Sequence, residues 1–289
     1  MWNLHKIPKI AHFYWGNDSI SYLRFLSIYS FKKFNPDWEI RLYFPVVKYR
    51  GVKTWGTPEH SGQFSGLDYM PELLNLPIEK IAVDFTDYGL DNNVPESFKA
   101  DFLRWHLLAT VGGLWSDFDI IYFRPMDHLG LNKAHYKFLD TIVCLREIPG
   151  EVYHSIGFLL GAPENRYYQF IFKQIASFIN LGNYQSIGSS IPNTYFPSIT
   201  SIRERFPDLH LANLPMDVVY PIDYTMVPYL FHTGYLHYLS EACIGLHWFA
   251  GHPEAGVFEN LLNEHTIINY DNIISLVIRK NGMLTCIKH

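Results

Sequence analysis

Two carboxylates separated by one residue, Asp117 and Asp119, lie between two apolar runs in the stretch VGGLWSDFDIIYFRP, residues 111–125. Carboxylates bracketed by strand-like sequence are costly unless something compensates them. A divalent cation holding a phosphorylated ligand is one such compensation. Mg2+ and Mn2+ take oxygen ligands, use few protein groups and fill the other positions with water and phosphate oxygens. On a regular strand, Asp117 and Asp119 would point the same way, with Phe118 turned to the core. The alternative reading is a pair of strand-end aspartates in solvent, since Asp-x-Asp recurs by chance in acidic loops. Asp101 and Arg104 sit one helical turn apart just upstream. They read either as a surface ion pair worth a few tenths of a kcal/mol or as a carboxylate and a guanidinium gripping the hydroxyls of a polar ligand.

The elements that must position these residues follow from pattern. Residues 7–15, IPKIAHFYW, read as a first strand. Asp18 or Ser19 can cap a helix through about Phe34, and Asn35-Pro36-Asp37 stops it. Residues 38–44 alternate as a strand does. This strand–helix–strand opening marks an α/β domain with a mostly parallel central sheet. Residues 45–79 are irregular, and a loop of that length is a candidate lid. Residues 80–85 form a third strand. Pro95-Glu96-Ser97 opens a helix to about Thr110, with Ser97, Asp101 and Arg104 on one face, and Gly112-Gly113 ends it. The strand carrying Asp117 and Asp119 follows at once, with the acids towards its carboxyl end, where open α/β sheets bind ligands. Beyond Pro125, strands are expected over 141–146, 155–160, 218–222 and 242–249. Helices are expected over 164–179, 197–206, 225–240 and 258–280, with loop over 182–197. No repeat or linker breaks the chain, so one merged domain spans 1–289.

Composition narrows the function classes. Hydrophobic residues make up 48% of the 289 and charged residues 18%, enough apolar material for a sizeable core. The net charge of −5 argues against nucleic acid as a partner. Aromatics reach 17%, which suits stacking on bases or sugars as well as an aromatic core. Cys144, Cys243 and Cys286 form no Cys-x-x-Cys, and a reducing compartment fits. No signal-peptide h-region or membrane-length apolar run occurs, so a soluble, cytoplasmic protein is expected. GxxxxGK[ST], GxGxxG and HExxH are all missing, which removes P-loop, dinucleotide and zincin chemistry.

The segment SFKADFLRWHLLATVGGLWSDFDI, together with IPKIAHFYWG, resembles the DxD-containing glycosyltransferases. Their pattern is a D-x-x-R helix followed by a G-G-x-x-x-D-x-D strand, after a P-K-x-I-H-x-x-W-x-G opening. The resemblance is nearest to glycosyltransferase family 32, the mannosyltransferase-like and capsule-type transferases, and more distant to the clostridial glucosylating toxins. It covers a minor part of the chain. It implies a GT-A fold, with residues 1–125 as the nucleotide-sugar half and 126–289 as the acceptor half. It implies a Mn2+ or Mg2+ cofactor, a UDP- or GDP-sugar donor, and a glycan or lipid-linked glycan acceptor, with peripheral membrane contact where the acceptor is lipid-linked. It also implies retention of anomeric configuration and, without an anchor, a bacterial or viral source.

Residue by residue, the resemblance assigns Trp15 to stacking on the nucleotide base, although a core tryptophan fits that position too. It assigns Asp101 and Arg104 to the donor sugar, Asp117 to sugar or ribose hydroxyls and Asp119 to the metal. IGLHWFAGH, residues 244–252, resembles the C-terminal element that brings a further metal ligand, here His247, although a histidine beside Trp248 and Phe249 reads equally as a packed core residue. The Ser-Trp or Lys-Pro-Trp that usually follows is replaced by His252-Pro253-Glu254, which makes His252 the candidate for the leaving diphosphate. SIGFLLGAPEN resembles the small-residue strand of that family. Gly188, Ser189 and Asn193 fall where relatives carry an acceptor loop, although by itself that stretch reads as an ordinary surface loop. Two other classes use similar residues: a glycoside hydrolase, which needs carboxylates on opposite sides of a bond, and a non-catalytic carbohydrate-binding protein. The test of this reading is spatial: Trp15, Asp101, Arg104 and His247 should converge on Asp117 and Asp119.

Overall fold

Ser21 starts the first helix by accepting the Arg24 amide, and Asn35 ends it by returning its side-chain amide to the Phe31 carbonyl. The computed structural model describes residues 6–51, 64–130, 137–148 and 151–284. Its strands are β1 (Ile10–Tyr14), β2 (Glu39–Pro45), β3 (Glu79–Val83), β4 (Gly113–Ser116), β5 (Ile120–Tyr122), β6 (Thr141–Ile148), β7 (Glu151–Gly161), β8 (Leu211–Asn213) and β9 (Gly245–His247). Its α-helices are α1 (Tyr22–Phe34), α2 (Met70–Asn75), α3 (Glu96–Thr110), α4 (Arg166–Phe178), α5 (Ser190–Tyr195), α6 (Ile199–Arg205), α7 (Val227–His232), α8 (Pro253–Leu261) and α9 (Ile273–Lys280).

Seven strands form one mixed sheet in the order β3-β2-β1-β4-β7-β6-β8. The run β3-β2-β1-β4 is parallel, β7 enters antiparallel to both β4 and β6, and β8 lies parallel to β6. The α/β architecture expected from the strand–helix–strand opening is present. The sheet runs unbroken across residue 125, because β4 hydrogen-bonds directly to β7. Alternation along the strands feeds two cores. Phe13, Leu114, Phe158 and Leu160 face one side with α1, whereas Tyr14, Trp115 and Leu159 face the other with α3 and α4.

Two buried details lock β1 to β4. Gly112 and Gly113 adopt φ of 72° and 101°, and a methyl group at Gly113 would lie 2.5 Å from the Ile10 carbonyl oxygen. Only glycine tolerates both demands. His12, in the middle of β1, donates from Nε2 to the Gly112 carbonyl at 2.8 Å, and its Nδ1 accepts from the Tyr43 hydroxyl at 3.0 Å. Burial lowers the His12 pKa to about 4, which fits a neutral ring used as a strut.

Several local expectations need correction. Residues 218–222 form no strand; Val218 ends a 3₁₀ turn, and the chain then runs beside β9 through hydrogen bonds from Ile244 N to Val218 O and from His247 N to Val219 O, each 2.8 Å. The segment 225–240 is not one helix but α7 flanked by 3₁₀ turns, because Pro228 fits only its first turn and Gly234 follows its end. Residues 258–280 split into the end of α8, a 3₁₀ turn and α9. The segment 182–197 holds the short helix α5. The candidate lid at 45–79 lies partly outside the described residues, as does Cys286.

Candidate functional site

Strand order supplies the location. From β1 the chain builds outward through β2 to β3, then returns by α3 to place β4 on the other flank of β1. The carboxyl ends of β1 and β4 therefore border a topological switch point, where the crossovers diverge and leave a crevice. Asp117 is the first residue past β4. The expectation that both acids ride on a regular strand is not met. Residues 117–119 turn the chain out of the main sheet into β5, which pairs antiparallel with β9 as a separate ribbon. Phe118 does face the core, packing on Phe13 and Trp15 at ring separations of 5.6 and 5.2 Å.

The turn sends the two aspartates to different neighbours. Arg104, buried on α3, bonds the Asp101 carboxylate with Nη1 and Asp117 Oδ1 with Nη2 at 2.9 Å. Trp115 Nε1 donates to the same Asp117 oxygen at 2.8 Å, and the Arg104 guanidinium lies 5.1 Å from the Trp115 ring. One guanidinium thus bridges two carboxylates on a rigid helix–strand frame. Burial works against the Arg104 charge, but Asp117 and Asp101 outweigh it and its pKa rises. Burial pushes the Asp101 carboxyl up to about 6, against the pull of Arg104 and with the repulsion of Asp117. The alternative of a surface ion pair is thereby corrected: both partners are buried, because β4 and β7 cover this face of α3.

Asp119 belongs to the ribbon. Pairing of Ile120 with His247 brings the histidine beside it, with His247 Nε2 3.1 Å from Asp119 Oδ1. Asp119 Oδ2 accepts from the Ala250 amide at 3.0 Å, and the Asp119 carbonyl accepts from Trp248 N at 2.9 Å. Phe249 makes this return possible by adopting φ of 52°, a left-handed conformation that costs a non-glycine residue roughly 1–2 kcal/mol. Strain of that kind persists only where surrounding contacts over-determine it. Burial opposes ionisation of Asp119, yet His247, Arg24 and the Ala250 amide hold its pKa below the usual carboxylate range.

Asp117, Asp119 and His247 offer ligand atoms that all lie within 4.8 Å of one another. The donor set suits Mg2+ or Mn2+, which accept carboxylate oxygen and imidazole nitrogen. Asp119 Oδ1 and His247 Nε2 approach without hydrogen-bond alignment, and Asp119 Oδ1 and His247 Nδ1 are buried with no hydrogen-bond partner. Neighbouring ligands of one cation, bound at about 2.1 Å, sit roughly 3 Å apart. The residues present fit the ion.

The remaining expected site residues are placed as follows. Trp15 is only 3% exposed; its ring meets Phe118, the Arg24 guanidinium lies 4.9 Å from its centroid, and Nε1 donates to the Ser19 carbonyl. In this conformation it is a packed wall rather than an open stacking platform, because Arg24, itself paired with buried Glu259, fills the space beside it. His252 caps α8 by accepting the Glu254 amide at Nδ1, and its ring packs on Tyr224. Gly188 and Ser189 are buried, not a surface loop. A methyl group at Gly188 would lie 2.5 Å from Asp101 Oδ2, so this loop packs directly on the Asp101 carboxylate. Asn193 accepts the His154 amide with Oδ1 at 2.9 Å, tying α5 to β7.

Three neighbours of the cluster were not singled out from sequence: Trp115, which bonds Asp117; Gly157, whose backbone lies against the Asp117 carboxylate; and Tyr220, whose ring packs on His247. Trp115 had a signal, since it lies two residues before Asp117 on the same strand face. Gly157 lies within the recognised SIGFLL strand, but nothing marked it apart. Tyr220 had no signal in a chain with 20 tyrosines.

A scan of protein families and a search of curated proteins return no match for this chain. Among solved structures, it is similar to the PaToxG glycosyltransferase at 16% identity and a TM-score of 0.46, over 95% of this chain and 87% of that one. It is also similar to the galactosyltransferase LgtC in complex with donor and acceptor sugar analogs, at 13% identity and 0.41, over 97% and 98%. The apo-form glycosyltransferase GlyE of Streptococcus pneumoniae gives 13% and 0.45, over 96% of this chain and 63% of that one. With every one of these TM-scores under 0.5, the functional reading rests on the site geometry.

Proposed function

We propose that this chain is a GT-A-type, metal-dependent glycosyltransferase that moves a sugar from a UDP- or GDP-sugar to a hydroxyl of a glycan or other acceptor, with retention of configuration. The observation that carries the reading is the convergence, at the carboxyl ends of β1 and β4, of an Asp117–Asp119–His247 cluster and a buried Asp101–Arg104–Asp117 bridge. One group of residues suits a cation and a diphosphate, the other suits sugar hydroxyls, and they share Asp117.

Asp119 and His247 hold the cation, which when bound supplies positive charge to the leaving diphosphate. Arg104 fixes the Asp101 and Asp117 carboxylates so that their outer oxygens orient the sugar, converting binding into alignment of the anomeric carbon. His252, whose Nδ1 is engaged as an acceptor, keeps its Nε2–H to donate to a phosphate oxygen. Gly188 and Ser189 border the sugar next to Asp101, with Asn193 further along the acceptor wall. Trp15 reaches a base only by releasing its packing on Phe118 and Arg24. No side chain is assigned as base, because a departing phosphate oxygen can take the acceptor proton. Among the described residues no helix is long and apolar enough to cross a membrane; we place the enzyme in the cytoplasm of a bacterial or virus-infected cell.

The test is a panel of UDP- and GDP-sugars assayed for Mn2+-dependent hydrolysis and transfer. Turnover that vanishes on chelation, returns with Mn2+ and is lost in Asp119→Asn is the expected result. An active Asp119→Asn protein would sink the assignment. Glycan hydrolysis without any nucleotide would favour a hydrolase, and nucleotide-free sugar binding without turnover a lectin-like protein.

A further inference from the structure

The Tyr220 hydroxyl is buried, with the residue 7% exposed, and it has no hydrogen-bond partner. Its position is imposed rather than free. The Tyr220 amide bonds the Met216 carbonyl at 2.7 Å, and its ring packs on His247 and Phe249 at 4.9 and 6.4 Å. Across from it stands Asp117. The Oδ1 atom of Asp117 is saturated by Arg104 and Trp115, which leaves Oδ2 as the available acceptor. Between the two oxygens lies Gly157 of β7. A methyl group there would sit 2.7 Å from Asp117 Oδ2 and 3.0 Å from Tyr220 Oη. The Asp117 amide bonds the Gly157 carbonyl at 2.8 Å, so the aspartate and the glycine hold a fixed relation. The absent side chain therefore lets the carboxylate oxygen and the phenol oxygen both close in on the same point beside β7, nearer than a Cβ would allow.

We propose that Asp117 Oδ2 and the Tyr220 hydroxyl, brought together beside Gly157, form an acceptor–donor pair that binds a single hydroxyl group of the transferred sugar. The chemistry of the pair selects the ligand. A carboxylate only accepts and a phenol donates, so one ligand atom serving both must donate and accept at once. A hydroxyl does this. An ammonium offers no acceptor, an ether offers no donor, and a phosphate oxygen is repelled by the carboxylate. Leaving a buried hydroxyl unpaired in the free protein is unfavourable, and a ligand that pairs it recovers that cost on binding. The pair discriminates strongly against a donor sugar lacking the matching hydroxyl, because removal leaves both protein groups buried and unpaired. The inference rests on the glycosyltransferase reading above and adds to it a binding residue and a rule for sugar choice.

The experiment is calorimetric titration in MnCl2 of UDP, GDP, UDP-glucose, UDP-galactose, UDP-N-acetylglucosamine and GDP-mannose, then of monodeoxy analogues of whichever sugar nucleotide binds. Tyr220→Phe should weaken the sugar nucleotide by about tenfold while the nucleoside diphosphate stays within about twofold. One monodeoxy donor should bind the unmodified protein about tenfold more weakly than its parent, and that difference should disappear in Tyr220→Phe. Equal weakening of both ligands, or of neither, overturns the inference, as does a deoxy penalty that persists in the variant. If the unmodified protein binds no nucleotide from the panel, the transferase reading falls and this inference with it. If nucleotides bind and the variant does not discriminate, only this inference falls.

Discussion

Asp117 and Asp119 are two residues apart, yet the regions around them are built on opposite terms. On the Asp117 side, one carboxylate oxygen takes hydrogen bonds from Arg104 and Trp115, and Arg104 also holds Asp101. Charge there is largely compensated before any ligand arrives. On the Asp119 side, Asp119 Oδ1, His247 Nδ1, Trp248 Nε1 and Tyr220 Oη are buried without hydrogen-bond partners. Buried polar groups are ordinarily satisfied, so such a concentration needs an explanation. The comparison teaches a division of labour. Arg104 Nε and Ser189 Oγ are unpaired on the helix–strand side too, but its charges are bonded to one another, whereas the ribbon side leaves the Asp119 and His247 ligand atoms open.

Substitutions on the two sides should therefore fail differently. The largest effect is expected from Asp119→Asn, which should lower metal-dependent transfer by on the order of a thousandfold while the fold survives. Circular dichroism and a transfer assay on the same sample check this. Equal loss of folding and activity would erase the distinction. Arg104→Ala attacks the frame instead. It leaves Asp101 and Asp117 buried without their shared partner and should cost about 3–5 kcal/mol in urea unfolding. A loss near 1 kcal/mol would mean that the bridge carries little weight.

A smaller effect sharpens the electrostatics. The folded Asp101 carboxyl titrates at about 6, above the ordinary aspartate value. Between roughly pH 4 and 6 the folded state keeps a proton that the unfolded chain has released, so this group makes stability fall as pH rises through that window. Its contribution is fully favourable below the lower limit and is lost above about 6. Asp101→Asn should flatten that part of the stability curve by on the order of 2 kcal/mol. An unchanged slope would remove Asp101 as the cause. Least of all, Tyr220→Phe should leave the ligand-free protein as stable or raise its stability by about 1 kcal/mol, read as a small rise in melting temperature. A clear loss of stability would show that the hydroxyl already has a partner on the ribbon side.

Legibility in the sequence was uneven for physical reasons. The helix α3, its Gly-Gly stop and the strand after it were readable because caps, glycine and apolar spacing act locally. Asp101 and Arg104 followed from helical spacing, though their burial did not, since burial depends on what β7 and α4 bring against them. The regular-strand picture of Asp117 and Asp119 was wrong for a tertiary reason. Pairing of β5 with β9 bends the chain at Phe118 and sends the two carboxylates to separate neighbours. The segment 225–240 misled because its apolar spacing suits a helix that Pro228 and Gly234 keep short.

By itself, the sequence determined an α/β opening, a helix–Gly-Gly–strand unit and the residue types that meet at its end. These are properties of neighbours along the chain. The tertiary structure alone decided that Asp119 lies 3.1 Å from His247, that Gly188 packs on Asp101, and that Gly157 lets Asp117 and Tyr220 close in on one point. Each of those contacts joins residues far apart in sequence, where no local propensity acts and only the pairing of strands sets the distance.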